Sequence, residues 1–295
     1  MRTPTSAAAA TPAMQDADPE SSGLRAWLRP GTAVMTVGAT WVARDREDHY
    51  FELTGGSPQG ITRPAQLDPA VHTELFGALA DIGVVVDGTH SPAVIMQNCT
   101  SDRGQAPRRS ADETVATTAW AVGGPAEFVR AAGRELHRRG EVMSVPASLQ
   151  DAARHSRVLW CADGTLPHGW RDLDGQALSG ALDWCRVLLH GRYADLEPVA
   201  GGPADVSHAM VRARRLAAAR RPDLMLGEWD AGAIRGPATL SPEAAEAIAA
   251  AAVAKMLDGG AAARRWLDRV DLDTRCRTRH PILPVPEATM REPRP

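Results

Sequence analysis

The sequence predicts an α/β protein in two parts, a small strand-rich unit followed by a larger unit of alternating strands and helices. Three short strand signals joined by tight connections lie between residues 34 and 53, and apolar strand segments alternate with helical segments from residue 117 onward. A length of 295 residues suits two domains that each bury a core. We therefore expect units at 23–87 and 117–290, joined by a polar linker at 88–116.

The two ends of the chain are predicted to be tails. Residues 1–22 combine an alanine run with acidic residues, contain no apolar stretch of signal-peptide length, and indicate a disordered segment; residues 291–295 form a second tail. No run approaches the roughly 20 apolar residues of a membrane span, so we expect a cytoplasmic protein without a membrane partner. A formal net charge of −3 argues against a nucleic-acid partner.

The cysteines give no sign of a metal site or a disulfide framework. The four of them are widely scattered, and no two are separated by two residues as in a zinc ribbon. They are Cys99, Cys161, Cys185 and Cys276.

The first unit shows strands at Val34–Val37, Trp41–Arg44 and His49–Leu53, with a polar turn at residues 45–48. Short strands with tight connections predict an antiparallel meander. Helical segments follow at Ile61–Leu67 and Pro69–Gly83, the second with apolar residues at helical spacing. We expect three strands followed by two or three helices.

This order resembles the RiPP recognition element, a PqqD-like winged-helix module that holds the leader segment of a ribosomally made precursor peptide. The resemblance implies that the leader adds a strand to the third strand and faces the last helix, because an exposed edge offers unpaired N–H and C=O groups. The implied leader-binding residues are Tyr50, Phe51, Glu52, Leu53 and Thr54 at the edge, and Leu75, Ala78 and Leu79 in the groove. The alternative is that the apolar members of this set are simply the core of a small domain.

The second unit alternates strands with helices, which predicts a mostly parallel sheet. Its strand signals are Thr118–Val122, Val142–Val145, Arg157–Asp163 and Arg186–His190, and its helices lie at Glu127–Arg139, Leu149–Ala153 and Gln176–Cys185.

Gly123 and Gly124 stand where nucleotide-binding α/β domains carry a glycine-rich loop. The G-x-G-x-x-G pattern is interrupted, and Glu127 in the first helical turn would repel a phosphate. Asp163 could serve as the acidic metal ligand of an adenylating enzyme, but no lysine lies among the strands and helices at 118–190. We therefore expect no cofactor.

Three C-terminal segments resemble ThiF-like proteins, relatives of the ubiquitin-activating enzymes, that act in azole-modified RiPP and thiopeptide biosynthesis. They are a strand–turn–strand at 190–199, the stretch at 207–221 containing Val-Arg-Ala-Arg-Arg, and His280-Pro281-Ile282-Leu283-Pro284-Val285-Pro286. In that family two Cys-x-x-C pairs bind zinc beside the last two. The corresponding positions here are Ser207, Met210, Ala288 and Arg291, which do not make a zinc site, and His208 and His280 are too few to replace them.

Two helices of this region carry further signals. Ser241 and Pro242 predict the start of an alanine-rich helix at 242–257. On the helix at 207–221, Val211 and Leu216 are expected to face inward. The arginines of this segment form a basic strip, which is either a solvated helix face or a surface that contacts an acidic leader or partner. The strip consists of Arg212, Arg214, Arg215, Arg220 and Arg221.

The resemblance implies a degenerate ThiF-like, Rossmann-type scaffold behind a leader-binding module. It implies a non-catalytic partner of a YcaO-type cyclodehydratase that presents the precursor peptide for azoline formation. Two alternatives stay open: an ATP-dependent adenylating enzyme with an atypical site, and an unrelated α/β enzyme acting on a small molecule. The expected partners are the leader peptide and the cyclodehydratase, with a homodimer left open.

Overall fold

The computed structural model describes residues 28–29, 31–37, 40–53, 73–85, 120–164, 166–230, 234–235 and 240–284. The predicted tails at 1–22 and 291–295 and the predicted linker at 88–116 lie outside these ranges. The strands are β1 (Ala33–Val37), β2 (Thr40–Arg44), β3 (Tyr50–Glu52), β4 (Trp120–Gly123), β5 (Met143–Ser144), β6 (Arg157–Asp163), β7 (Asp183–His190), β8 (Tyr193–Leu196), β9 (Ile234–Arg235), β10 (Trp266–Asp271) and β11 (Arg277–Pro281).

The described helices are mostly short. They are α1 (Thr73–Asp81), α2 (Ala126–Arg138), α3 (Leu149–Ala152), α4 (Trp170–Leu178), α5 (His208–Ala218), α6 (Pro222–Asp230), α7 (Pro242–Asp258) and α8 (Ala261–Arg265).

The first sheet has four antiparallel strands in the order β3-β2-β1-β9. The predicted meander of three strands is confirmed by the pairing of β1 with β2 and of β2 with β3. The structure adds β9, which comes from the C-terminal half, so this sheet is not confined to residues 23–87. Of the helices predicted here, α1 is described, and the segment at 61–67 lies outside the described residues.

Both faces of this sheet are covered. Val34 and Trp41 point toward α1 and pack with Leu79, and all three are almost completely buried. Met35, on the opposite face because side chains alternate along a strand, packs with Leu224 of α6. A helix of the C-terminal half thus closes the second face of the N-terminal sheet.

The second sheet has seven strands in the order β11-β10-β8-β7-β6-β4-β5. The strands β5, β4, β6 and β7 are parallel, as the alternation of strands and helices predicted. Their spatial order is second, first, third, fourth, which occurs in doubly wound α/β domains. The remaining strands β8, β10 and β11 extend the sheet in antiparallel fashion.

The core of this half lies on the two faces of the seven-stranded sheet. Helices α2 and α7 cover one face, where alanines such as Ala132, Ala249 and Ala252 allow close helix packing. Helices α3 and α4 cover the other face around Trp184. The predicted start of α7 is confirmed, because the Ser241 side chain accepts a hydrogen bond from the Ala244 N–H.

The two sheets meet where two glycines approach each other. Gly31 and Gly191 both have positive φ angles, of 80° and 56°. A β-carbon on Gly31 would overlap the Gly191 carbonyl, and one on Gly191 would overlap the Arg46 carbonyl. Arg46 also accepts the Arg192 N–H at its carbonyl, with an N···O distance of 2.9 Å. The connection between β7 and β8 is therefore packed against the β2–β3 turn.

Candidate peptide-binding site

Strand β3 is the outer strand of the first sheet and exposes hydrogen-bonding groups on one side. Leu53 donates its N–H to the Trp41 carbonyl, and Asp45 donates its N–H to the His49 carbonyl, with N···O distances of 2.9 and 3.0 Å. Hydrogen-bonded pairs alternate in an antiparallel ladder, so the N–H and C=O groups of Tyr50 and Glu52 point away from β2. We call these four groups the β3 edge. Among the described residues no strand pairs with it.

The side chains of Tyr50 and Glu52 are held on the face that α6 covers. The Tyr50 hydroxyl donates to a Glu228 carboxylate oxygen at 2.7 Å. Burial raises the pKa of Tyr50, and the neighbouring Glu228 charge raises it further. Glu52 forms an ion pair with Arg221 at 2.6 Å. These two predicted edge residues therefore offer a ligand their backbone groups, while their side chains brace the strand.

The opposite face of β3 points toward α1, and the other predicted residues lie on that face or on α1. Phe51 and Leu53 are half-buried, and Leu53 packs against the same cluster as Leu75 of α1, which is also half-buried. Ala78 is exposed. Leu79, in contrast, is 0% exposed and lies in the core between sheet and helix, so it cannot line an open groove. The groove prediction for Leu79 is wrong, because Leu75, four residues earlier on the same helical face, takes the rim position and Leu79 takes the core position.

Thr54, also predicted at the edge, lies outside the described residues. The structure therefore places Leu53 and Leu75 against the same apolar cluster, and the backbone groups of Tyr50 and Glu52 lie along the outer side of β3.

A buried histidine links this sheet to the seven-stranded one. His190, near the end of β7, contacts Asp48 of the β2–β3 turn through Nδ1 at 2.9 Å. Its Nε2 contacts Asp195 of β8 at 2.7 Å. Burial alone would lower the pKa of His190, but the charge of Asp195 and the two hydrogen bonds outweigh burial and raise it. The carboxylates beside its two ring nitrogens therefore favour the protonated imidazole.

Arginines continue this chain of charges at both ends. Arg44 contacts Asp48 at 2.7 Å and Glu228 at 3.1 Å, and Arg269 contacts Asp195 at 2.8 Å. Burial would raise the pKa of Asp195, but His190 and Arg269 hold it below its ordinary range, and His190 and Arg44 act likewise on Asp48. Opposite charges therefore alternate from α6 through the first sheet into the second.

The sequence reasoning did not identify this network. Asp48 lies in a turn and Asp195 in a strand, and neither position stands out in the sequence. Asp48 and His190 are 142 residues apart along the chain. A histidine placed in an otherwise apolar strand, Val187-Leu188-Leu189-His190, was the available signal.

The glycine turn after β4 is packed by the protein itself. Gly123 is paired with Trp160 of β6, and a β-carbon at Gly123 would overlap the indole ring. Gly124 has φ +127° and lies against the Cys161 carbonyl. Both glycines therefore have a steric reason that involves no phosphate. Glu127, predicted to favour helix capping over phosphate binding, forms an ion pair with Arg130 at 3.0 Å.

The two aligned zinc positions that are described have other structural roles. Ser207 is the N-cap of α5 and accepts the Met210 N–H at 3.2 Å. Met210 is 8% exposed and packs in an apolar cluster with Val211, Leu267 and Ile282. No group of three or more metal-binding side chains occurs in the part of the chain that the structure describes. Ala288 and Arg291 lie outside it.

Charged side chains reinforce the start of α5. The Asp174 carboxylate accepts the backbone N–H groups of His208 and Ala209, each at 3.1 Å. Glu197 contacts His208 at 2.9 Å and Arg186 at 2.9 Å. Carboxylates at a helix N-terminus are stabilising. Capping and packing thus hold this helix end in place.

The predicted basic strip is partly used within the molecule, and its members Arg220 and Arg221 lie beyond the end of α5 at Ala218. Arg212 stacks on Trp229 of α6, with its guanidinium carbon 4.0 Å from the ring centroid. Arg214 donates to the Leu283 carbonyl at 2.9 Å, and Arg221 pairs with Glu52. The strip therefore connects α5 to its neighbours. Val211 is buried as predicted, whereas Leu216 is only half-buried.

A cavity of about 280 Å³ lies at the junction of the two sheets, next to the ends of β6 and β7 and the start of α7. Arg29, Arg46, Asp163, His190 and Ser241 are among its lining residues. Asp163 is therefore brought to a concave surface, as an acidic ligand would require.

No helix in the described ranges is long and apolar enough to cross a bilayer.

Comparisons with known proteins found structural neighbours only. No family model matches the chain, and no curated protein matches it. A heterocyclase in complex with substrate and cofactor is 13% identical with a TM-score of 0.40, over 87% of this chain and 38% of that one. The E. coli microcin synthetase McbBCD complex is 10% identical with a TM-score of 0.41, over 87% and 97%.

The heterocyclase TruD is 13% identical with a TM-score of 0.39, over 86% of this chain and 41% of that one. The chain thus spans about two fifths of the length of the two heterocyclases.

Proposed function

We propose that this chain is a non-catalytic subunit that binds the leader of a ribosomal precursor peptide and presents the peptide to a YcaO-type cyclodehydratase. The observation that supports this proposal is the unpaired β3 edge beside the half-buried Leu53 and Leu75. The resemblance of residues 23–87 to the RiPP recognition element supplies the class of ligand.

In this proposal the leader binds as a fifth strand. Two N–H donors and two C=O acceptors on Tyr50 and Glu52 pair with the leader backbone and give affinity that does not depend on its sequence. Alternate leader side chains face α1 and contact Leu53, Leu75 and Ala78, which gives selectivity for apolar residues. The edge is already braced by the bonds of Tyr50 and Glu52 to α6 and Arg221, so binding orders little of the protein.

Such a subunit needs no catalytic residue of its own. A tethered core peptide reaches an effective concentration in the millimolar range at the partner's active site, which accelerates modification without a new chemical group. ATP would be used by the cyclodehydratase. The packing of Trp160 over Gly123 supports this division of work, because the glycine turn then has a structural reason.

In the first experiment the gene neighbourhood is searched for a short precursor peptide, and binding of its labelled leader segment to the full chain is measured. Leu53→Asp and Ala78→Asp place a charge on the proposed contact surface, and we expect each to weaken binding about tenfold or more. Val142→Asp, at a 65% exposed position just before the distant strand β5, is the matched control and should leave binding unchanged. Equal affinities for all three variants would contradict the proposal.

A second experiment tests strand addition directly. Glu52→Pro removes an outward N–H of the β3 edge without touching the ladder to β2, whereas Glu52→Gln removes only the ion pair with Arg221. The proline variant should bind the leader more weakly than the glutamine variant, with equal melting temperatures. Identical binding by the two variants would rule out pairing at this edge.

The competing function is an ATP-dependent adenylating enzyme, and the junction cavity with Asp163 is the observation that favours it. ATP–pyrophosphate exchange catalysed by the isolated chain, and abolished by Asp163→Asn, would support that function. Exchange at background level together with saturable leader binding would support the scaffold.

A further inference from the structure

Strand β11 forms one outer edge of the seven-stranded sheet. All five of its residues, Arg277-Thr278-Arg279-His280-Pro281, are exposed. It pairs with β10 on one side, and within the described ranges no strand pairs with the other side. Unpaired edges of this kind bind further strands unless something protects them.

The outward backbone groups of β11 belong to its two arginines. Asp271 donates its N–H to the Cys276 carbonyl at 2.9 Å, and Ile282 donates to the Arg265 carbonyl at 2.7 Å. Since bonded pairs alternate along the antiparallel ladder, the N–H and C=O groups of Arg277 and Arg279 point away from β10. We call these four groups, with the two guanidinium groups, the β11 edge.

This edge has more positive than negative charge. The Asp268 carboxylate is shared by Arg277 at 2.7 Å, Arg279 at 2.8 Å and Lys255 at 3.0 Å. Three basic side chains therefore share one carboxylate, so the positive charge of this cluster exceeds its negative charge. Lys255 is buried, whereas the Arg277 and Arg279 side chains are 38% and 56% exposed, so the excess is accessible at the surface.

The chain that follows β11 leaves this edge. Ile282 packs into the apolar cluster around Met210, and the Leu283 carbonyl accepts a hydrogen bond from Arg214 at 2.9 Å. Residues 282–284 are thus directed toward α5 and do not return along the outward side of β11.

We propose that the β11 edge docks an extended acidic segment of a partner protein by strand addition. Carboxylates at alternate positions of that segment lie on the same face as the Arg277 and Arg279 side chains, because side chains of paired strands share a face at matching positions. Backbone pairing supplies two donors and two acceptors, and the carboxylates supply the charge that Asp268 leaves unbalanced. This surface belongs to a different sheet from the β3 edge, and the inference does not depend on the proposed function.

The test uses synthetic peptides of about ten residues, the upper end of common strand length, titrated into the full chain by fluorescence anisotropy. A peptide of alternating Glu and Thr should bind saturably and more weakly as salt rises. A block peptide of the same composition should bind several-fold more weakly, because only alternation places all its carboxylates on one face. An alternating Lys-Thr peptide should not bind. Failure of the Glu-Thr peptide to saturate below about 1 mM overturns the proposal.

Variants locate the binding site. Arg277→Gln with Arg279→Gln keeps donors near Asp268 but removes both charges, and we expect about tenfold weaker binding. The matched control, Arg130→Gln with Arg154→Gln, removes two exposed charges that are also paired with carboxylates elsewhere. Equal binding by the two double variants places the site elsewhere and overturns the proposal.

A last comparison separates strand addition from charge attraction. Arg279→Pro and Arg279→Gln lose the same charge, but only the proline also loses an outward N–H. Weaker binding by the proline variant, with far-ultraviolet circular dichroism and melting temperature equal to those of the glutamine variant, supports strand addition. Equal binding by both overturns it.

Discussion

Replacement of His190 by glutamine tests whether the buried charges hold the two sheets together. His190 is 5% exposed and lies between Asp48 and Asp195, at 2.9 and 2.7 Å. Glutamine preserves the size and one hydrogen bond but removes the positive charge. The buried Asp195 and the half-buried Asp48 then lose their shared cation, and the first sheet loses its direct link to β7.

The expected cost follows from the remaining partners. Loss of one member of a buried ion pair costs about 3–5 kcal/mol. Arg44 still neutralises Asp48, and Arg269 still neutralises Asp195. We therefore expect the lower end, about 3 kcal/mol at pH 6, or a fall in melting temperature of about 6 °C or more for a chain of this size.

The pH dependence of unfolding provides the sharper measurement. The pKa of His190 is raised above its ordinary value of 6.5, so its stabilisation is complete below pH 6.5 and is lost as pH rises through the raised pKa. The pKa values of Asp48 and Asp195 lie below 3.8, so their stabilisation is present above that pH and lost below it. The free energies of unfolding of wild type and His190→Gln should therefore differ most between about pH 4 and 6.5.

The assay is urea unfolding of both proteins from pH 3 to 9. His137→Gln, an exposed histidine in the last turn of α2, is the control and should change stability by no more than about 0.5 kcal/mol. A wild-type advantage below about 1 kcal/mol at pH 6, or one that grows as pH rises above 7, would refute the reasoning.

Three further substitutions test the packing by thermal unfolding. Leu79→Ala, at a core position, should lower the free energy of unfolding by about 2–5 kcal/mol. A loss below about 1 kcal/mol would mean that Leu79 lines an open groove and is not part of the core. Gly123→Ala forces a methyl group into the Trp160 ring and should cost about 1–3 kcal/mol, whereas Gly175→Ala, with open space around it, should be neutral or stabilising. Ser207→Ala removes the cap of α5 and should cost about 1 kcal/mol; no change would mean that Asp174 alone caps the helix.

The candidate site shows which structural features local sequence patterns can predict. The strand β3 and its place at the end of a meander could be predicted, because short apolar runs with tight turns leave few other arrangements. Helical spacing predicted α1 with Leu75 and Leu79 on one face. It could not separate a rim residue from a core residue, since that depends on how deeply the helix sits against Val34 and Trp41.

The C-terminal half shows the same division. The sequence predicted that Ser207 and Met210 do not bind zinc, because a hydroxyl and a thioether are not the ligands such a site needs. It could not show that Ser207 caps the helix or that Met210 packs with Ile282, which is 72 residues further along the chain. The strand β11 was also missed, since Arg-Thr-Arg-His-Pro has little apolar content and becomes a strand only by pairing with β10.

By itself, the sequence determined the α/β class, the N-terminal meander, the parallel strands and the start of the helix at Ser241, because these follow from the spacing of apolar residues and from local capping. Only the tertiary structure decided which backbone edges stay unpaired, that α6 and β9 complete the first sheet, and that His190 joins Asp48 to Asp195. These features depend on residues far apart in the chain, whose burial and charge pairing are settled when the two sheets pack together.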